Sequence, residues 1–332
     1  MRVAVIGTGN MGRHHVRVYK ELGANLVAIA DISSDAKRIA KKYDCKFYNN
    51  FREMIKNEKP DAVSIAVPTS HHYTVAKFCL ENGIDVLVEK PITNNLDHAK
   101  DLLDISDRED RILMVGHIER FNPAVHAIKN IVDSGDMGDI MSLIARRVGI
   151  FPPQIKDASV FIDLGVHDID IFRYILNREP EKIYALGTKS LINSREDNAL
   201  IVMDFGDCNG VIHTNWITPI KIRELAITGT KGYAEMDYIH QTVKLYRSNY
   251  TKEFYEDYGD FIVTFSKPYI HDVTVDKDEP LKLEIKHFLK CVAEHKKPIV
   301  SGYDGYIALK LALIAYKSSK KKEAIEVPKE LT

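Results

Sequence analysis

From residue 2 to residue 116 the chain alternates short, wholly apolar runs with polar-apolar stretches of helical length, and few folds can use that pattern. The runs are Val3–Ile6, Leu26–Ala30, Ala62–Val67, Val86–Val88 and Ile112–Val115. Between most of them lie Met11–Leu22, Ser34–Lys42, Phe51–Asn57, Tyr73–Glu81 and Leu96–Ile105. A strand that is apolar on both sides has to be covered on both, and helices between successive strands provide the cover. The pattern predicts a doubly wound α/β domain with a parallel sheet, ending near Gly116.

After Gly116 the pattern changes. The spacing predicts a helix at about Pro123–Val132, a strand at about Ile140–Val148, a loop at Phe151-Pro152-Pro153-Gln154 and a helix at about Asp163–Leu176. From Lys182 to Arg247 come strand-like stretches separated by Phe205-Gly206-Asp207, Thr218-Pro219 and Gly229-Thr230-Lys231-Gly232. Consecutive strands with short turns imply an antiparallel sheet. Helices at about Leu281–His295 and Tyr306–Ser318 finish the chain. The 332 residues are enough for two cores, so the expected division is 1–119 and 120–332. In Ala199-Leu200-Ile201-Val202-Met203 both parities are apolar. One sheet face is then expected to meet a partner subunit, giving a homodimer or homotetramer through the C-terminal sheet. The Tyr-rich stretch Tyr250–Tyr269 reads equally as strands, a lid or an interface.

Charge narrows the function. Forty-six Lys and Arg oppose forty-seven Asp and Glu, without the basic excess of a general nucleic-acid binder. Cys45, Cys79, Cys208 and Cys291 form no CxxC pair, so no metal site or disulfide framework is expected. No apolar run approaches the roughly 20 residues that cross a bilayer, and the first strand leaves no room for a signal peptide. The expectation is a cytoplasmic protein with no membrane or nucleic-acid partner.

Gly7-Thr8-Gly9-Asn10-Met11-Gly12 reads GxGxxG between an apolar strand and a helix. Three glycines in six residues arise by chance, but the context fits a dinucleotide turn. Gly7 permits the tight turn, Gly9 a close approach to the diphosphate, and Gly12 close packing of helix on strand. The amides around Asn10 and Met11, at the helix start, suit an anion. Asp31 ends the second apolar run, about 20 residues beyond Gly12, where a carboxylate accepts from ribose hydroxyls. A 2′-phosphate would meet its charge, and Ile32-Ser33-Ser34 offers no arginine. The reading is NAD.

Two further segments can carry chemistry. Glu89-Lys90-Pro91 follows a buried strand at its carboxyl end, the edge where open α/β sheets bind ligands. A lysine there is more often an ordinary surface lysine; placed in the cleft, it can position or polarise a hydroxyl. In Asp163-Leu164-Gly165-Val166-His167-Asp168-Ile169-Asp170, helical spacing puts Asp163, His167 and Asp170 on one stripe and Val166, Ile169, Phe172 and Leu176 opposite. A carboxylate four residues before a histidine can fix its tautomer for general-base work. Gly165 leaves room for a ligand. The plain alternative is a solvated stripe whose acids answer the helix dipole.

Together, Gly7–Gly12, Glu89-Lys90-Pro91 and Asp163-x-Gly-x-His167-x-x-Asp170 resemble the glucose-fructose oxidoreductase / inositol dehydrogenase / rhizopine catabolism family, in an element order that spans nearly the whole chain. The resemblance implies an NAD-binding Rossmann domain followed by an α/β domain with an open, mostly antiparallel sheet that mediates oligomerisation. It implies NAD-linked oxidation of a sugar hydroxyl, with Lys90, Asp163 and His167 catalytic and either Lys90 or His167 as base. It further implies that Thr69, His72, Glu89 and Lys90 line the cofactor, that Arg120 and Asn122 lie near nicotinamide and substrate, and that the Lys90-Pro91 bond is cis. Gly116–Ala124 is similar to the branch that oxidises C3 of a UDP-N-acetylhexosamine or its uronic acid. On that reading Arg120, Arg146, Arg147 and Arg223 are candidates to hold a diphosphate. The alternatives are an inositol or free-sugar dehydrogenase, an NAD-dependent glycosidase, and a non-catalytic NAD-binding regulator, which would lack the lysine and histidine.

Overall fold

The computed structural model describes residues 1–151, 158–191, 194–247, 250–255, 260–265 and 267–328. In chain order the elements are β1 (Arg2–Ile6), α1 (Asn10–Glu21), β2 (Asn25–Ala30), α2 (Ala36–Lys42), β3 (Lys46–Tyr48), α3 (Phe51–Glu58), β4 (Ala62–Ile65), α4 (His72–Glu81), β5 (Asp85–Glu89), α5 (Leu96–Arg108) and β6 (Leu113–Gly116). They continue with α6 (Pro123–Asp133), β7 (Ile140–Ile150), α7 (Val166–Leu176), β8 (Lys182–Thr188), β9 (Asn198–Asp204), β10 (Asn209–Asn215) and β11 (Ile217–Gly229). The remainder are β12 (Gly232–Asp237), β13 (Thr242–Arg247), β14 (Tyr250–Tyr255), β15 (Asp260–Phe265), β16 (Tyr269–Val273), α8 (Pro280–Glu294), α9 (Gly302–Lys321) and β17 (Ile325–Glu326).

The chain divides into two compact units. The first holds Met1–Phe121 and Asp278–Leu311, the second Asn122–Lys277 and Ala312–Thr332. Where the sequence suggested one crossing near residue 119, the chain passes between units three times. The physical reason is the inward stripe of α8: Leu281, Ile285, Phe288 and Cys291 are buried, and α8 packs on α1 of the first unit.

In the first unit six parallel strands run in the order β3-β2-β1-β4-β5-β6. The order reverses between β1 and β4, so the crevice expected for ligands opens beyond Ile6 and Ile65. The apolar runs of β1, β4 and β5 are buried, as a sheet covered on both faces requires. The edge strand β3 escaped the pattern because it is three residues long and only half-buried.

The second unit is built on a nine-stranded sheet ordered β16-β13-β12-β11-β7-β10-β9-β8-β17. It is antiparallel except where β10 pairs parallel with β7. One face carries α7 against β7 and β10, and α6 against β12 and β13. The other leaves Ile144, Leu186 and Leu200 exposed, with Leu186 and Leu200 paired across β8 and β9. Thr218-Pro219 is no turn: it lies within β11, where the register against β7 shifts between Ile217 and Ile222. A proline that cannot donate fits such an irregularity. From the Tyr-rich stretch come the β14–β15 hairpin and β16, which extends the large sheet beside β13. Residues 152–154 of the expected loop lie outside the described residues.

Candidate functional site

The turn from β1 into α1 is shaped by its glycines. Gly7 has φ +86°, and a Cβ there would stand 2.7 Å from the backbone of Ala66 and Val67 on the neighbouring crossover. A Cβ on Gly12 would stand 1.8 Å from the Gly7 carbonyl oxygen. Gly9 is exposed, and nothing lies within 4 Å of where its Cβ would be. Among the described residues no side chain caps the first turn of α1, and no acid sits in it. Its amides at Asn10 and Met11 thus lie where an anion can approach. Asp31 organises the rim: one carboxylate oxygen accepts from the Thr8 amide at 2.6 Å and the Thr8 hydroxyl at 2.9 Å, the other from the Ser33 amide at 2.8 Å. Ile32, beside it, is 97% exposed. These residues fit a dinucleotide.

The turn after β5 is tied down from below. The Lys90-Pro91 peptide is cis. His72 is buried, with Nδ1 2.9 Å from the Pro91 carbonyl oxygen and Nε2 2.9 Å from that of Val67. Burial lowers its pKa against the pull of those two carbonyls. His72 therefore joins the β4 loop to the β5 turn through backbone contacts, and Thr69, half-buried, lies in the 3-10 turn just before it. Glu89 accepts from His15 Nε2 at 2.9 Å. Burial works to raise the Glu89 pKa, but the His15 hydrogen bond and the charges of His15, Lys90 and His72 outweigh it and hold the carboxyl below its ordinary range. His15 was not anticipated. Its signal was its place on the inward stripe of α1 with Gly12, Val16 and Tyr19.

In the second unit Asp163 lies in a π-helical turn, Phe161–Gly165, that runs into α7. Such turns widen the helix locally and recur at functional sites. Asp163 is buried and His167 half-buried. The expected polar stripe is not formed: Asp170 is buried, 3.5 Å from Arg173, which itself forks onto Glu179. The π-helical turn breaks the regular spacing on which the stripe was drawn. Gly165 does not open space for a ligand either. A Cβ there would stand 3.2 Å from Ile201, so its bareness serves helix-on-sheet packing.

What holds this segment is Asp168. Arg147 on β7 donates through Nε at 2.7 Å and Nη2 at 2.9 Å to its two oxygens, and both residues are buried. The Tyr238 ring lies under the guanidinium at 4.8 Å, and its hydroxyl is 3.4 Å from Asp168. Nothing in the sequence marks Arg147 and Asp168 as partners.

The other arginines are also engaged. Arg120 is buried, donating to the Ile299 carbonyl and pairing with Asp304 at 3.1 Å. Arg146 pairs with Glu224 across the exposed sheet face, and Arg223 donates to the Val148 and Ile222 carbonyls. All four candidate arginines thus have partners within the chain. Asn122 caps α6 by accepting from the Ala124 amide and donates to the Tyr238 carbonyl. Lys90 belongs to the first unit, Asp163 and His167 to the second.

The sequence matches two family models. Residues 1–117 match an oxidoreductase family with an NAD-binding Rossmann fold, and residues 129–327 match the C-terminal α/β domain of the same family. The chain is 29% identical over 320 residues to UDP-N-acetylglucosamine 3-dehydrogenase of Acidithiobacillus ferrooxidans, covering 94% of this chain and 95% of that protein. It is 28% identical over 347 residues to myo-inositol 2-dehydrogenase of Thermotoga maritima, covering 98% of each. A solved structure of the Acidithiobacillus enzyme superposes with a TM-score of 0.84 at 25% identity, covering 97% of this chain and 98% of that one.

Proposed function

Since the chain belongs to the oxidoreductase family with an NAD-binding Rossmann fold and a C-terminal α/β domain, we propose that this dehydrogenase oxidises a secondary hydroxyl at C3 of a UDP-N-acetylhexosamine or its uronic acid. The supporting observation is likeness to a 3-dehydrogenase of that substrate class along 94% of the chain. The Gly7–Gly12 turn with Asp31 would hold NAD, the diphosphate on the open amides of α1 and the adenosine ribose at Asp31. When bound, NAD supplies the hydride acceptor.

This chain's own residues manage the proton. In this reading Lys90 and His167 contact the substrate hydroxyl, and one of them takes its proton as the hydride leaves. Asp163 orients His167, in the role a carboxylate plays toward a general-base histidine. Thr69 and Glu89 shape the cofactor end, and Arg120 and Asn122 fix the segment that leads to α6. Assembly is through the exposed apolar face around Ile144, Leu186 and Leu200, as a homodimer or homotetramer in the cytoplasm.

An inositol or free-sugar substrate is the second reading, favoured by the engagement of all four expected arginines in internal contacts. A panel of UDP-sugars, free sugars and inositols, with a coupling enzyme to remove product, separates the two. The first reading expects a UDP-N-acetylhexosamine to give the highest kcat/KM; a free polyol well ahead of every UDP-sugar would sink it. An NAD-dependent glycosidase would instead release an aglycone without net NADH.

A further inference from the structure

α8 places a carboxylate where its apolar stripe calls for a hydrocarbon. Leu281, Glu284, Ile285, Phe288 and Cys291 form the buried face of the helix, and Glu284 has no exposed surface. Among the described residues neither of its oxygens has a hydrogen-bond partner. His15, also fully buried, hydrogen-bonds Glu89 through Nε2, while its Nδ1 has no partner among the described residues. The titratable and charged groups on the elements around Glu284 are Arg13, His14, His15, Arg17, Tyr19, Lys20 and Glu21 on α1, Asp85 and Glu89 on β5, and Glu119 and Arg120 in the turn Ile118–Phe121; of these Arg13, His14 and Glu21 are exposed and Lys20 donates to the Asp44 carbonyl. Arg17 is spent on Glu21 and Glu279, Arg120 on Asp304, and the Tyr19 hydroxyl on Ser64 at 2.7 Å. No cation among the described residues pairs with Glu284, and Glu89 already holds a negative charge beside His15. An ionised carboxylate buried without a partner is costly enough that such a group takes up a proton instead.

We propose that Glu284 is held as a neutral carboxylic acid and acts as a positioning residue for Glu89-Lys90-Pro91, keeping this buried cluster at the single carboxylate charge that His15 hydrogen-bonds. Burial and the neighbouring Glu89 both push the Glu284 pKa well above the ordinary carboxylate range. A second charge there would repel Glu89 and loosen the turn that carries Lys90. The proposal takes Lys90 to act on the substrate, as in the reading above, but its first test does not depend on that.

Thermal unfolding of wild type and Glu284→Gln is followed across pH. Because the folded carboxyl binds its proton more tightly than the unfolded one, the contribution of Glu284 to stability is full below its unfolded pKa and is lost as pH rises towards the folded one. The variant has no proton to lose, so its midpoint should gain on wild type by roughly 1–3 °C per pH unit above about pH 5, until the folded carboxyl ionises. Parallel curves would overturn the neutral-acid assignment. The second test compares kcat and KM in Glu284→Gln and Glu284→Leu. A positioning role predicts that Leu cuts kcat about tenfold or more with KM less affected, and that Gln retains most of it. A Leu variant with wild-type kcat would reduce Glu284 to a packing residue and overturn the positioning role. A wild-type protein inactive on every sugar would refute the functional reading alone, with the stability curves still deciding the protonation.

Discussion

The two units hold their candidate residues by different means. In the first unit the dinucleotide turn is made by backbone: two glycines whose missing Cβ atoms permit the approach, and Asp31 accepting main-chain amides. In the second, Asp163 and His167 ride on a segment fixed by side chains. Arg147 clamps Asp168, which adjoins His167 in the chain, over the ring of Tyr238, from strands distant in sequence. A backbone-built site depends on spacing and tolerates change away from its glycines. One built by side chains depends on buried partnerships, and losing one partner leaves a charge stranded.

The largest effect should come from the groups proposed to react. Lys90→Met and His167→Ala should each lower turnover by about 10²–10⁴-fold while thermal midpoints stay near wild type. Activity lost only in step with unfolding would remove these residues from the chemistry. Next comes Arg147→Met, which strands the buried Asp168 charge and should cost about 3–5 kcal/mol in denaturant unfolding. Adding Asp168→Leu should recover much of that; a mild single mutant would break the contrast between the halves. On the backbone side, Gly12→Ala puts a methyl against the Gly7 carbonyl and should cost about 1–3 kcal/mol, read most clearly as weaker NADH binding. Smallest should be Asp31→Ala with Ile32→Arg, expected to shift preference towards NADP by about tenfold, about 1.4 kcal/mol. The loss of the Thr8 and Ser33 contacts should weaken NAD binding as well. Wild-type preference for NADP would contradict the role given to Asp31.

The same contrast explains what could be read from the sequence. The helices flanking the glycine turn and the parallel strands from β1 to β6 follow from local periodicity, apart from β3, which is too short to show any. Turn chemistry located Gly206 and Gly229–Gly232 but mistook Thr218-Pro219, because proline marks a strand irregularity as readily as a turn. In α7, periodicity assumed a regular helix and was defeated by the π-helical turn at Phe161–Gly165. Arg147 with Asp168, and Arg120 with Asp304, join residues far apart in the chain, and charge alone does not say which arginine meets which acid. His15 and Glu284 were visible only as polar residues on otherwise apolar stripes, a signal that becomes meaningful once both helices are known to be buried.

Hydride removal from a sugar carbon is the central step, and isotope transfer measures it most directly. The purified protein is incubated with NAD and a UDP-N-acetylhexosamine deuterated at C3, with the product trapped, and the coenzyme is then examined by mass spectrometry. Deuterium recovered on the reduced coenzyme, absent with Lys90→Met, is the predicted result. If deuterated UDP-sugars, free sugars and inositols all leave the coenzyme unlabelled while the protein binds NAD tightly, the chain is an NAD-binding protein without this chemistry, and the account is contradicted.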